Sequence, residues 1–331
     1  MRFFILVFSL LIGLCINSQP VSLGTILPKE QTSVHDPVII KQDSLYYIFS
    51  TGNGISVLSS PDLQQWKKES AVFAKPPQWA TEAVPGFKGH IWAPDIQYFN
   101  GQYYLFYSVS QFGKNTSCIG VAVNKTLHQS SPDFGWKDLG KVVQSVPGRD
   151  LWNAIDPNMI VDEKGKPWMT FGSWWSGIKL VRLDSTMKVA EPQQWYTIAR
   201  RPRNYYSSDS AGGGAAIEAP FIFKKGDYYY LFVSWDLCCK GEQSTYKMVV
   251  GRSKRLQGPY IDKAGVRMDN NGGSLLMEGN ADWHGVGHNA VYSIDGKDLL
   301  VFHGYDAKDK GRSKLRIEEL EWDSDGWPKL K

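Results

Sequence analysis

One pattern recurs along these 331 residues and restricts the possible folds more than any other feature. A short apolar stretch opens next to an acidic or imidazole side chain, runs into a polar turn, and returns as an aromatic-rich stretch. The copies occupy residues 35–50, 93–108, 155–173, 218–234 and 287–304. Their reversals carry hairpin chemistry, with Asn100-Gly101, Lys225-Gly226-Asp227 and Asp295-Gly296 between alternating apolar runs. A further strand candidate follows each hairpin, at residues 55–58, 119–123, 178–181, 248–251 and 315–318. An outer segment follows in turn, marked by Trp66, Trp136, Trp195, Tyr260 and Trp322. A period of roughly 60 to 70 residues, with several short strands in each unit, is the signature of a propeller blade. The expectation is an all-β, five-bladed β-propeller formed as one domain by residues 19–331, with its active site at the end of the central channel.

A blade cannot bury its apolar face alone, so stacking around a ring builds the core, and the outer aromatics are expected to pack between blades. The radial arrangement brings the starts of the inner strands together. Asp36, Asp95, Asp156, Glu218 and His288 are far apart in the chain and are predicted to meet at one end of the channel. How the ring closes is open at this point: residues 19–33 pair with the last blade, or the ends meet by side-chain packing alone.

The first residues read differently. Met1-Arg2 supplies a positive charge, residues 3–15 are apolar, and Asn17 and Ser18 follow. This reads as a secretory signal peptide over residues 1–18. The run is short for a span of about 20 residues, and Leu14 stands where a lipoprotein anchor at Cys15 wants a small side chain. No other stretch is apolar enough to cross a bilayer, so no membrane association is expected. The net charge of +4 is modest for this length and no Lys/Arg run stands out, which argues against nucleic acid as a partner. Once the signal is removed, Cys118, Cys238 and Cys239 remain, too few for a disulfide framework. Cys238 and Cys239 are adjacent, and form either a vicinal disulfide or two thiols on a turn.

Carboxylates converging in an aromatic-lined funnel suit glycoside hydrolysis. One carboxyl must protonate the leaving oxygen while a second activates water or attacks, and their pKa values must be held apart. Each acid also has a plainer reading as a turn cap. Asp95 keeps that reading, because it follows Pro94 rather than preceding a proline. Asp36, Asp156 and Glu218 stand at matching places in three repeats, the first two directly before a proline and Glu218 one residue further away.

These residues carry a resemblance. Val34-His35-Asp36-Pro37, Trp92-Ala93-Pro94-Asp95, Ala154-Ile155-Asp156-Pro157-Asn158, Phe171-Gly172-Ser173-Trp174-Trp175, Ile217-Glu218-Ala219-Pro220 and Gly285-Val286-Gly287-His288-Asn289 form an ordered set. With it the chain resembles glycoside hydrolase family 43, in its endo-α-1,5-L-arabinanase branch, over nearly everything after residue 30. The resemblance implies an inverting reaction, with Asp36 as general base, Glu218 as general acid, and Asp156 orienting the acid and keeping its pKa raised. It implies sugar contacts from Trp92, Phe112, Asn153 and Ser173, and a hydrated calcium ion in the central channel held by His288. Imidazole is an awkward ligand for calcium, which prefers oxygen, and His288 as a satisfied core residue is the plainer reading. His35 is read as positioning Asp36 or flanking the pocket.

The function expected is that of a secreted, monomeric endo-arabinanase acting on the arabinan side chains of pectin, or a periplasmic one in a Gram-negative host. Two alternatives stand beside it. An exo-acting arabinosidase or xylosidase would differ by a blocked pocket, set by loops such as 76–89 and 202–214. A non-catalytic carbohydrate-binding propeller would be expected to have lost one of the three acids. Asn115-Thr116-Ser117 and Asn124-Lys125-Thr126 match glycosylation sequons, relevant in a eukaryotic host.

Overall fold

The structure, a computed structural model, describes residues 21–331. Residues 1–18, read above as a signal peptide, lie outside that range. Five antiparallel sheets follow one another around the ring, each built on a meander from an inner to an outer strand; Ile26–Pro28 adds to the outer edge of the first and Gly52–Asn53 to the inner edge of the second. The inner strands are Val38–Gln42, His90–Phe99, Asn158–Val161, Ile217–Lys225 and Trp283–Ile294. Each pairs with the returning arm of its hairpin: Leu45–Ser50, Gln102–Ser110, Pro167–Phe171, Tyr228–Trp235 and Lys297–Asp306. The hairpins read from the sequence are therefore the two inner strands of five propeller blades.

The core is divided as a propeller requires. Five buried apolar clusters lie at the five seams between blades. Phe49, Val57, Leu105 and Tyr107 belong to the first seam, and Phe106, Val121, Met169 and Phe171 to the second. Leu180, Ile222, Leu231 and Tyr260 pack in the third, and Tyr230, Phe232, Leu300 and Phe302 in the fourth. Ile39, Ile48, Trp66, Val301 and Leu315 close the fifth. The outer aromatics sit in these seams: Trp136 stands edge-on to Phe49, and Trp322 packs with its ring centroid 4.6 Å from that of Tyr230.

Ring closure takes neither strand exchange nor pairing with the last blade. Ile26–Pro28 pairs with Gln65–Glu69 at the outer edge of the first blade, while the last blade draws all four strands from the C-terminal end. The ends meet through the fifth apolar seam and a hydrogen bond of 2.9 Å from the Leu315 N–H to the Thr32 carbonyl. The two sequons are closed to a glycan in this fold. Asn115 and Asn124 are 0% and 1% exposed, with Asn115 Nδ2 donating to the Asp150 and Trp152 carbonyls.

At the channel mouth the backbone repeats one irregularity. The chain enters each inner strand through a left-handed residue: Asp36 (φ 53°), Ala93 (φ 44°), Asp156 (φ 57°), Ala219 (φ 53°) and His288 (φ 53°). In the second, fourth and fifth blades the pairing register shifts across this residue, as at a β-bulge. Non-glycine residues adopt this conformation at a cost of order 1–3 kcal/mol unless the surroundings over-determine it. Here a side chain of the preceding blade accepts each of these N–H groups. Thr51 Oγ1 takes Ala93 N–H at 2.8 Å, Ser108 Oγ takes Asp156 N–H at 3.0 Å, and Ser234 Oγ takes His288 N–H at 2.9 Å. His303 Nδ1 takes Asp36 N–H at 3.1 Å. In the third blade the corresponding place is Gly172, with no side chain to offer, and Asp156 Oδ2 accepts Ala219 N–H at 3.1 Å instead.

Candidate active site

This ring turns three acids and an imidazole into one site. Asp36, Asp156, Glu218 and His288 line a single cavity of about 730 Å³, together with His35, Trp92, Phe112, Asn153 and Ser173. Asp95 does not reach it. The register shift places Trp92 and Ala93 at the mouth in the second blade, and Asp95 points into the seam. There its carboxylate accepts Met159 N–H at 2.7 Å and Asn158 Nδ2–H at 3.3 Å, and burial pushes its pKa up to about 7. The expected convergence of five residues is thus corrected to four, with Asp95 tying two blades together. A smaller hollow of about 350 Å³, lined by Arg200, Arg201 and Arg203, shares only Trp175 with the cavity and holds no carboxylate.

Asp36 is held as an anion. Its Oδ1 lies 2.8 Å from His35 Nδ1 and 3.0 Å from His288 Nδ1, and its Oδ2 accepts a 2.6 Å hydrogen bond from Thr51 Oγ1. Burial by itself would raise the pKa. The His35 and His288 imidazoles bonded to it override burial and hold the carboxyl well below the usual carboxylate range. Burial likewise opposes a charge on His288, yet Asp36, Asp156 and Glu218 push its pKa up to about 9.

Asp156 and Glu218 have the opposite setting. Burial is the leading cause that raises both, and each also feels the charge of Asp36. The charge of His288 works against burial at both acids, while repulsion from Glu218 raises Asp156 further and the Ala219 N–H lowers it. Glu218 receives its hydrogen bonds from neutral donors: Tyr246, Trp174 Nε1 at 3.1 Å and Ser173 Oγ at 3.3 Å, the last two on Oε2. Trp174 and Trp175 are both left-handed (φ 51° and 40°), and that strained turn aims the Trp174 indole at the carboxyl. Gly287 leaves room for Tyr246, since a Cβ there would sit 2.2 Å from the phenol ring.

The donor chemistry permits a cation at His288 through one nitrogen. Nδ1 is committed to Asp36, an arrangement usual for metal-binding imidazoles, so Nε2 is the nitrogen that would ligate. The three buried carboxylates that hold a proton on this ring would favour a metal ion in its place. His35, Asp36 and His303 also cluster closely enough to share an ion. Their facing atoms, however, are already bonded to one another: His35 Nδ1 to Asp36, and His303 Nδ1 to the Asp36 N–H.

The remaining expected contacts are at hand. Phe112 is 78% exposed at the rim, and Trp92 is half-buried with its indole N–H on His90 Nδ1 at 3.0 Å. Asn153 is buried and accepts from Ser117 Oγ at 2.6 Å. Cys238 and Cys239 are disulfide-bonded to each other and line the cavity beside His35. Sequence reasoning missed Thr51, Trp174, Tyr246, His303 and Tyr305. Thr51 and His303 had a signal: each ends the second arm of its hairpin, as Ser108 and Ser234 do. Tyr246 had none, because it comes from the third segment of its blade, and Tyr305 had none, because it lies just past the hairpin arm read from the sequence.

The sequence model of Glycosyl hydrolases family 43 matches residues 28–328. An extracellular exo-α-(1→5)-L-arabinofuranosidase of Cellvibrio japonicus is 54% identical over 302 residues, 91% of this chain and 87% of that protein. An extracellular endo-α-(1→5)-L-arabinanase of Bacillus subtilis is 45% identical over 300 residues, 89% and 87% of the two chains. The crystal structure of Cellvibrio cellulosa α-L-arabinanase complexed with arabinohexaose superposes with a TM-score of 0.90 at 53% identity, covering 91% of this chain and 96% of that one.

Proposed function

This chain belongs to glycosyl hydrolase family 43, and from that premise we propose that it hydrolyses the α-1,5-L-arabinofuranosyl bonds of arabinan with inversion. The observation that carries the reading is the opposed setting of carboxyls in one cavity: Asp36 ionised by its imidazole partners, Asp156 and Glu218 pushed up by burial. In this reading Asp36 accepts a proton from the attacking water, and Thr51 and His35 fix its two oxygens. Glu218 gives its proton to the leaving arabinosyl oxygen. Asp156 acts on the acid through the backbone, since its carboxylate anchors the Ala219 N–H immediately after Glu218. Trp92 and Phe112 offer faces to the C–H surfaces of the sugars, while Asn153 and Ser173 offer polar groups. His288 would hold a hydrated cation such as calcium through Nε2, and the ion would supply positive charge beside the carboxylates.

We read the cutting mode as endo, because Phe112 extends an exposed aromatic face at the cavity rim. Exo action is the second reading, favoured by the 54% identity to an exo-acting relative. Chromatography of products from debranched linear arabinan separates them: a spread of oligosaccharides supports endo action, and one short product supports exo. Proton NMR of the first-formed anomer tests inversion, and release of the retained anomer would overturn it. Secretion as a monomer completes the reading, supported by the apolar residues 3–15 and by the extracellular relatives.

A further inference from the structure

The imidazole that touches Asp36 belongs to a longer chain of hydrogen bonds whose direction can be derived atom by atom. The Asp36 backbone N–H donates to His303 Nδ1 at 3.1 Å. That nitrogen therefore carries no proton, and the proton of the neutral His303 ring sits on Nε2. Nε2 lies 3.3 Å from the Tyr305 hydroxyl, so Tyr305 accepts there. The Cys239 backbone N–H also donates to the Tyr305 oxygen, at 2.7 Å. Both acceptor positions of the hydroxyl are then filled; the Ser244 hydroxyl also approaches it, but the remaining hydrogen-bond partner is His35 Nε2 at 2.9 Å, and the single proton goes there. Cys239 Sγ is 3.8 Å from the same nitrogen, but a disulfide sulfur has no proton to give. His35 Nε2 is thus an acceptor, and the ring proton must lie on Nδ1, facing Asp36 Oδ1 at 2.8 Å.

We propose that Tyr305, held by the disulfide-bonded turn at Cys238-Cys239, is a positioning residue that sets the tautomer of His35 and through it the orientation of Asp36. Tyr305 is buried and lies outside the cavity lining, so it acts without touching substrate. The bond between neighbouring cysteines closes a small ring that restricts their backbone. Cys239, itself left-handed (φ 65°), is thereby fixed with its N–H toward Tyr305. Without that N–H, or without the phenol, His35 is free to move its proton to Nε2 and present a lone pair to the carboxylate it should support. This inference rests on the reading of Asp36 as the base, and its test separates the two.

The test is a double-mutant cycle on arabinan with kcat and KM resolved. Tyr305→Phe is expected to lower kcat about tenfold, the worth of one oriented hydrogen bond, with KM unchanged within about twofold. His35→Asn places an amide N–H where Nδ1–H stands and has no tautomer to set. In that background Tyr305→Phe should change kcat by less than about twofold. An equal loss in both backgrounds, a loss confined to KM, or no loss in the parent would each overturn the proposal. Reduction with dithiothreitol should lower kcat in the parent and leave kcat of Tyr305→Phe unmoved, whereas equal falls in both would count against a role for the disulfide. Nitrogen NMR of the His35 ring gives a readout free of activity: Nδ1 protonated in the parent supports the chain, and Nε2 protonated overturns it even if Tyr305→Phe fails to fold. If Asp36→Ala retains full activity, the base reading has failed, and the NMR result still decides the hydrogen-bond chain.

Discussion

Asp36 and Asp156 occupy the same place in two blades and have been given opposite electrostatics. Both precede proline, both enter the inner strand in the left-handed conformation, and both are buried at 8% and 7% exposure. Asp36 sits on the seam between the last blade and the first, where His35, His288 and His303 gather around it. Asp156 sits on the seam between the third and fourth blades, where burial and the carboxyls of Glu218 and Asp36 outweigh the charge of His288, and its own hydrogen-bond donor is a backbone amide. One seam stabilises an anion and the other favours a proton. The backbone decides that both groups reach the cavity, and the side chains of the neighbouring blade decide what each can do there.

The largest effect should come from removing the proton on the second seam. Glu218→Gln is expected to lower kcat by about 10²–10⁴-fold, the range for a lost general acid, with the fold unchanged by circular dichroism. The pH profile gives the sign. Glu218 must be protonated to act, so parent activity should fall as pH rises through its raised pKa, and fall on the acid side only as pH approaches the lowered pKa of Asp36. A basic limb at the ordinary carboxylate pKa would remove the contrast between the seams.

Thr51→Val tests the first seam. It strips a 2.6 Å hydrogen bond from the Asp36 carboxylate and leaves the Ala93 N–H without its acceptor. A loss of about 1.5–3 kcal/mol, shared between kcat and stability, is expected for a charged hydrogen-bond partner. The acid limb should move to higher pH.

Asp156→Asn tests whether the second seam stores unfavourable energy. Its folded pKa lies above the unfolded value, so the parent loses stability as pH rises from the ordinary carboxylate pKa through the raised one. The variant keeps an oxygen for the Ala219 N–H without the charge. Its melting temperature should match the parent near pH 4 and exceed it near pH 8; a gap independent of pH would refute the burial argument.

The smallest effect on catalysis is expected from Ser234→Ala. It leaves the buried His288 N–H unsatisfied at a cost of about 1–3 kcal/mol in denaturant unfolding, and touches the carboxyls only indirectly, through Tyr246. A collapse of kcat at unchanged stability would show that the ring of N–H acceptors serves the chemistry directly.

Much of this was legible before any coordinates. The five hairpins, the outer strands and the interblade aromatics follow from periodicity and turn residues, because each blade repeats the same burial problem. Their place at the start of the inner strand, directly or one residue removed from a proline, marked Asp36, Asp156 and Glu218 for the same reason. Asp95, set apart because it follows Pro94, does bind a backbone N–H, but its expected place at the channel mouth was wrong, since a bulge at Ala93 shifts the register and turns the carboxyl into a seam. Sequence spacing carries no mark of such a shift. The sequons misled because Asn115 and Asn124 spend their amides inside the fold. His303 and Tyr305 were invisible as site residues because they act on a group some 270 positions away in the chain.

The amino-acid sequence by itself determined the repeat, the number of blades and which carboxyls stand at the inner strand starts, all of them local properties of short segments. Only the tertiary structure decided which seam bonds imidazoles directly to its acid and which gives its acids neutral donors and burial instead. A pKa is set by the few groups within hydrogen-bonding reach, and around a closed ring those neighbours come from the blade before and the blade after.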